Sequence, residues 1–172
     1  MLHNFVDVEL IGRPPTQWQP ATHQQYKINF DGALFKAENQ AGIGVAIRDS
    51  EGQVMVSLAQ RIPLPNITKE VEALAARRAM ELALETVLNK GVLEGDSLIL
   101  MNALKSNSHS LSQFGHIVND IQYLASQFSI ISYSHVRRHC NTVAHSLARR
   151  AISFSSLRVW MKNIPPNIAD VL

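Results

Sequence analysis

A chain of 172 residues is long enough for one ordinary domain with a real core, and 46% hydrophobic against 17% charged residues excludes an intrinsically disordered chain. A formal net charge of +2 permits a nucleic-acid partner without demanding one, and a single cysteine excludes an internal disulfide framework. No apolar run approaches the roughly 18 residues of a membrane span, and the opening MLHNFVDVELIGRPP lacks a signal-peptide pattern, so a soluble intracellular protein without membrane contact, nuclear or cytoplasmic, is expected.

In chain order, GRPPTQWQPATHQQ (12–25) is rich in Pro, Gln and Thr and reads as an extended linker. It sets the expected organisation: a linker over 1–26, one domain over 27–153 and a tail over 154–172. Such a linker also suggests a piece of a longer element. KINFDGALF (27–35), AGIGVAIRD (41–49) and QVMVSLAQRI (53–62) read as strands, the last two joined by the turn SEG, and together predict an antiparallel meander. After IPLPNIT, with its Thr at a helix N-cap, KEVEALAARRAMELALETVL (69–88) is the strongest helix signal. GVLEGD (91–96) reads as a strand, SLILMNALK (97–105) as a helix, SNSHSLS as a loop and QFGHIVNDIQYLASQF (113–128) as a helix. IISYSHV (130–136) is a strand and NTVAHSLARRAIS (141–153) a helix capped by Asn141. The paired prolines of NIPPNI end regular structure in the tail. Three antiparallel strands continued by β-α-β crossovers predict an α/β fold: a five-stranded mixed sheet, first antiparallel and then parallel, flanked by helices.

On the long helix Glu70, Arg77, Arg78, Glu81 and Glu85 share an arc about 100° wide, an ordinary solvated face. Glu72 lies nearly opposite, among Ala75, Ala76 and Ala79, where a carboxylate is costly unless something cationic meets it; the alternative is a first-turn Glu helped by the helix dipole. Asp31 follows KINF and Asp96 ends VLEG; either alone reads as a turn or cap residue. Two strand-end aspartates and an inward-facing glutamate can converge at one sheet edge. Carboxylates so clustered repel one another unless divalent cations neutralise them, and hard oxygen donors select Mg²⁺ or Mn²⁺ over zinc. A pair of such ions about 4 Å apart suits phosphodiester hydrolysis.

The segments NFDGA (29–33), AGIGVAIRD, VEALAARRAMELAL (71–84), LEGDS (93–97) and HVRRHCNTVAHSLARRA (135–151) resemble, in order and spacing, the ribonuclease H type 1 family. The likeness is nearest to the plant reverse-transcriptase-associated domains of retroelement origin, whose flanks also resemble the WQP linker and the VWMKNIPPNI tail. It covers roughly 27–153. The resemblance implies an RNase H-like fold and a metal-dependent endonuclease that cuts the RNA strand of RNA–DNA hybrids with two Mg²⁺ ions per site, Mn²⁺ being possible. Water would attack in line, leaving a 3′-hydroxyl and a 5′-phosphate. By resemblance Asp31 bridges both ions, while Glu72 and Asp96 serve the substrate-side ion.

The chain departs from the family pattern at the fourth acid, where N-x-x-A-D-x-L-A becomes Asn141-Thr142-Val143-Ala144-His145-Ser146-Leu147-Ala148. His145 thus stands at an expected metal ligand, and imidazole suits Mn²⁺ better than Mg²⁺. Weakened activity follows, or an inactive nucleic-acid-binding module. The family's glycine-rich histidine loop shrinks to Arg137-Arg138-His139-Cys140, where His139 reads as a surface residue and Cys140 as a small buried one. The density of His135, His139, Cys140 and His145 does not amount to a zinc site, because adjacent His139 and Cys140 would point apart on extended backbone. Arg137 and Arg138, with Asn141, are the expected nucleic-acid contacts, ahead of Lys36, Arg48, Arg149 and Arg150. No basic handle lies between Ser106 and Gln113, so weak hybrid affinity is expected of a monomer.

Overall fold

Apolar alternation along the first three predicted strands obliges each to bury one side, and the computed structural model shows against what. It describes residues 17–22, 24–106 and 114–171. Apart from Ser106, the loop expected at 106–112 lies outside these residues, as does the linker up to residue 16.

β1 (Tyr26–Phe35), β2 (Gln40–Arg48) and β3 (Val54–Pro63) form the expected antiparallel meander, with Asp31 opposite Gly44. The β2–β3 turn is closed by the Asp49 carboxylate, which accepts the amides of Glu51 and Gln53, both at 2.9 Å, and by Gly52 at φ 81°. α1 (Glu70–Glu85) then crosses over to β4 (Lys90–Gly95), parallel to β1. α2 (Leu98–Lys105) and α3 (Gly115–Ala125) lead to β5 (Ile130–His135), parallel to β4, and α4 (Thr142–Arg150) follows. Helix ends shift by a few residues from expectation. Thr68 is not the N-cap: Lys69 holds that position without a side-chain bond.

A sixth strand corrects the expected five. β6 (Arg158–Met161), in the tail read as irregular, pairs antiparallel with β3, giving the order β5-β4-β1-β2-β3-β6. It is four residues long, leaves Val159 and Met161 exposed and stops at Lys162 (φ 55°) just ahead of the prolines, so its pattern is too short to register.

The two sheet faces differ. Ile28 and Phe30 of β1, with Ile43, Val45 and Ile47 of β2, bury against α1, α2 and α3 in the main core. Burying such side chains contributes roughly 1.5–3 kcal/mol each. On the opposite face α4 packs Val143 and Leu147 on Ala46 and Ala59. It seats directly on backbone: a Cβ at Gly42 would strike the Ala148 carbonyl and one at Gly44 the Ala144 carbonyl. The glycines AGIG therefore set how deep α4 sits over β1 and β2. The solvated arc of α1 behaves as expected, with Arg78 bonded to Glu85 and Arg77 to Asp120, each at 3.0 Å. No helix among the described residues is long and apolar enough to cross a membrane.

Candidate active site

Three carboxylates converge where β1, α1 and β4 meet. Asp31 lies inside β1 rather than at a strand end, since the strand continues to Phe35; it is 3% exposed and faces α4. Glu72 projects from the first turn of α1 toward Gly32, whose amide donates to Glu72 Oε1 at 3.3 Å. A Cβ at Gly32 would come within 2.6 Å of Val71 Cγ1, so glycine lets the helix start approach the strand. Asp96 directly follows Gly95, the last residue of β4. Because β4 runs parallel to β1, its end delivers Asp96 to the same edge. One carboxylate oxygen from each of Asp31, Glu72 and Asp96 lies within 4.8 Å of the others. The solvated-dipole reading of Glu72 and the simple-cap readings of the two aspartates give way to this cluster.

Its electrostatics follow from the crowding. Burial pushes the Glu72 carboxyl up to about 9; the charges of Asp31 and Asp96 and a hydrogen bond with Asp31 add to the rise, and the Gly32 amide opposes it. Glu72 Oε2 is buried with no hydrogen-bond partner. Asp96 is also raised, by burial and by Asp31, while the charge of Arg138, a backbone hydrogen bond and, least, His145 work against the rise. The His135 ring lies 3.2 Å from the Asp96 carbonyl and helps hold that turn.

His145, one turn into α4, joins the cluster: Nδ1 is 2.7 Å from Asp31 Oδ2. Where the Asp31 carboxylate accepts this bond, Nδ1 is the donor and Nε2 is left for another partner. Arg138 is exposed and, with Glu72, His145 and Arg149, lines a cleft of about 350 Å³. Arg137 is exposed beside it, and His139 is exposed as expected. Cys140 is buried as expected.

Asn141 corrects its expected roles. It makes no side-chain cap and is 2% exposed. Its amide donates to the Phe30 carbonyl at 2.8 Å, and its oxygen accepts from Asn29 at 3.1 Å, so it ties the start of α4 to β1 instead of presenting itself to nucleic acid. Asn29 also donates to Glu94 at 3.0 Å and accepts from the Trp18 indole at 3.1 Å, and Lys27 bonds Glu94 at 2.6 Å. Neither Asn29 nor Glu94 stood out as a functional residue. The available signal was Lys27, Asn29 and Asp31 on one face of a strand whose other face is wholly apolar. Arg48, named among possible surface contacts, is buried beneath Trp18.

A six-stranded mixed sheet with this helix arrangement and a three-carboxylate edge defines a ribonuclease H-type domain. The chain belongs to the reverse transcriptase-like family, whose model matches residues 29–151. Among solved structures, RNase H1 of the halophilic archaeon Halobacterium salinarum is similar at a TM-score of 0.68 and 23% identity, over 75% of this chain and 98% of that one. The N-terminal RNase H domain of a Mycobacterium tuberculosis protein matches at 0.66 and 22%, over 75% and 94%. LC11-RNase H1, solved in complex with an RNA/DNA hybrid, matches at 0.64 and 20%, over 75% and 97%. No curated protein matches significantly.

Proposed function

We propose that the chain is a metal-dependent endonuclease for the RNA strand of RNA–DNA hybrids, with Asp31, Glu72, Asp96 and His145 as its metal-holding residues. The single observation that carries this reading is the convergence of three carboxylates within 4.8 Å around a buried, unpartnered Glu72 oxygen. The donor set fits a hard divalent cation: oxygen ligands dominate, and burial beside two other acids pushes the Glu72 carboxyl up, a cost that a cation would relieve. Mg²⁺ suits the carboxylates, and an imidazole at the fourth position widens tolerance toward Mn²⁺. Family membership and the likeness to RNase H1 structures, one of them holding an RNA/DNA hybrid, support the substrate and a retroelement ancestry. Two cations held by Asp31, Glu72, Asp96 and His145 would supply Lewis-acid charge neutralisation at the phosphodiester and would acidify a water.

The chain's own residues do the rest. Asp31 anchors the centre of the cluster on a central strand of the sheet, and Gly32 N–H orients Glu72. Arg138, at the mouth of the cleft, is placed to meet a phosphate oxygen and eases ionisation of Asp96. Arg137 extends the same basic rim. Cleavage of an end-labelled hybrid with Mg²⁺ or Mn²⁺, abolished by Asp31→Asn, is the expected result; an intact hybrid under both metals refutes the enzyme.

The Asp31–His145 contact favours a second reading. An imidazole already bonded to Asp31 takes the place of an acid, which fits a module that binds hybrid without cutting it. Binding retained without cleavage distinguishes this reading.

A further inference from the structure

A second cavity lies on the α4 side of β1, separate from the acidic cleft. It encloses about 270 Å³ and is lined by Trp18, Asn29, Arg48, His139 and the first turn of α4. Two independent observations converge on it. The first is the open start of α4. Its first intrahelical bond runs from the His145 amide to the Asn141 carbonyl at 3.0 Å, so the amides of Thr142, Val143 and Ala144 precede the ladder. Asn141 supplies no side-chain cap, having turned inward to Phe30 and Asn29. Uncapped amides at a helix start attract anions.

The second is Arg48. It is 6% exposed, its Nε is buried without a hydrogen-bond partner, and its guanidinium stacks on the Trp18 ring at 4.3 Å from the centroid. The nearby carboxylate does not claim it: Glu94 is held by Lys27 and Asn29. Burial lowers the Arg48 pKa and the Glu94 charge only partly offsets this. A buried guanidinium nitrogen left without a partner is costly, and the natural complement of the group is an anion with several acceptor oxygens.

We propose that this cavity is a phosphate-binding pocket, in which Arg48, the α4 amides and Thr142 receive a backbone phosphate of the nucleic acid engaged at the acidic cluster. The choice of nucleic acid rests on the function proposed above; the choice of phosphate does not. Asn29 stands two residues before Asp31 on the same face of β1, about 7 Å away at the usual rise of a strand. Ala144 precedes His145 on α4. A strand crossing the acids reaches the pocket within about two nucleotides. The pocket has the rigidity such a contact needs, since Asn29 and Asn141 fix its floor through bonds of 3.0–3.1 Å to Glu94 and to each other.

The test uses the full chain in EDTA, so that no cleavage occurs. Inorganic phosphate titrated into ¹⁵N-labelled protein should shift the amides of Thr142, Val143 and Ala144 and the Trp18 indole, and Arg48→Met should abolish those shifts. In parallel, Arg48→Met should weaken hybrid binding about eightfold at 0.1 M salt and lower the slope of log K against log salt by about 0.9, the contribution of one phosphate contact. Absence of shifts at tens of millimolar phosphate, or shifts that persist in Arg48→Met, overturns the pocket. Phosphate shifts lost in the variant with hybrid binding unchanged overturn the strand contact and assign the pocket to a free phosphate or nucleotide. If Arg48→Met loses spectral dispersion, Arg48→Lys decides, since it keeps the charge but not the fork; an unweakened phosphate response in that variant refutes the role of Arg48. Failure of the unmodified chain to bind any hybrid would count against the proposed function alone, because the phosphate titration still reads the pocket.

Discussion

Removing the charge of Glu72 should flatten the pH dependence of stability of the metal-free protein. In the folded chain this carboxyl is pushed up to about 9, from an ordinary 4.5. Between those values the folded state keeps a proton that the unfolded state has lost, so stability falls as pH rises across that window. One fully displaced proton gives a slope of about 1.4 kcal/mol per pH unit, or roughly 4 kcal/mol between pH 5 and pH 8. Glu72 is only partly shielded from water, so about half of that, ~2 kcal/mol, is the expected loss. For a chain of this size the melting temperature should drop by about 4–8 °C over that interval. Thermal melts followed by circular dichroism in EDTA, at a series of pH values, measure it. Glu72→Gln should abolish most of the slope and raise stability at the alkaline end, because an amide needs no ionisation. Saturating Mg²⁺ or Mn²⁺ should do the same for the unmodified chain by stabilising the ionised form. Parallel pH profiles for the unmodified protein and Glu72→Gln would refute the crowded-carboxylate account of this site.

Other substitutions test other parts. His145→Asp should raise the rate of hybrid cleavage in Mg²⁺ by at least about tenfold, read in single-turnover assays, because it restores a hard ligand; no gain would remove position 145 from the metal. Asn141→Ala leaves the Phe30 carbonyl and the Asn29 amide without their partner and should cost about 2 kcal/mol in urea unfolding. Gly44→Ala drives a methyl into the Ala144 carbonyl and should cost about 3 kcal/mol while also displacing His145, so cleavage should fall more than at Gly52→Ala, which lies away from the site.

Much of this is legible in the sequence because its signals are local. Alternation in 27–62 gave the meander, and the Ala- and Leu-rich run after residue 69 gave α1 with its solvated arc. The three acids were legible as a set for a different reason: each sits beside a recognisable element end or motif. What stayed hidden depends on contacts between distant segments. The partnership of Asn141 with Phe30 joins residues more than a hundred positions apart, and a local rule for helix starts assigned its side chain to the wrong bond. The burial of Arg48 required Trp18, in a segment whose prolines argued for a linker, to fold back onto β2. β6 is stabilised by the open edge of β3 and has little signature of its own. Asp31 follows KINF and alone reads as a turn or cap residue, yet β1 runs through it to Phe35, and Gly32 beside it makes room for α1.

The seating of α4 on bare glycine backbone has a kinetic meaning. The acids come from β1, the start of α1 and the end of β4, and the imidazole arrives last in the chain on α4. Pairing of β1 with β4 brings Asp31 and Asp96 to one edge, but the full set is complete only when α1 and α4 have docked on the sheet. A cation that binds the cluster therefore binds only the finished fold, and its free energy adds wholly to folding. Stabilisation absent from the folding transition state retards unfolding and leaves the folding rate unchanged. A metal held at such a site would act as a latch, closing after assembly and lengthening the lifetime of what assembled without it.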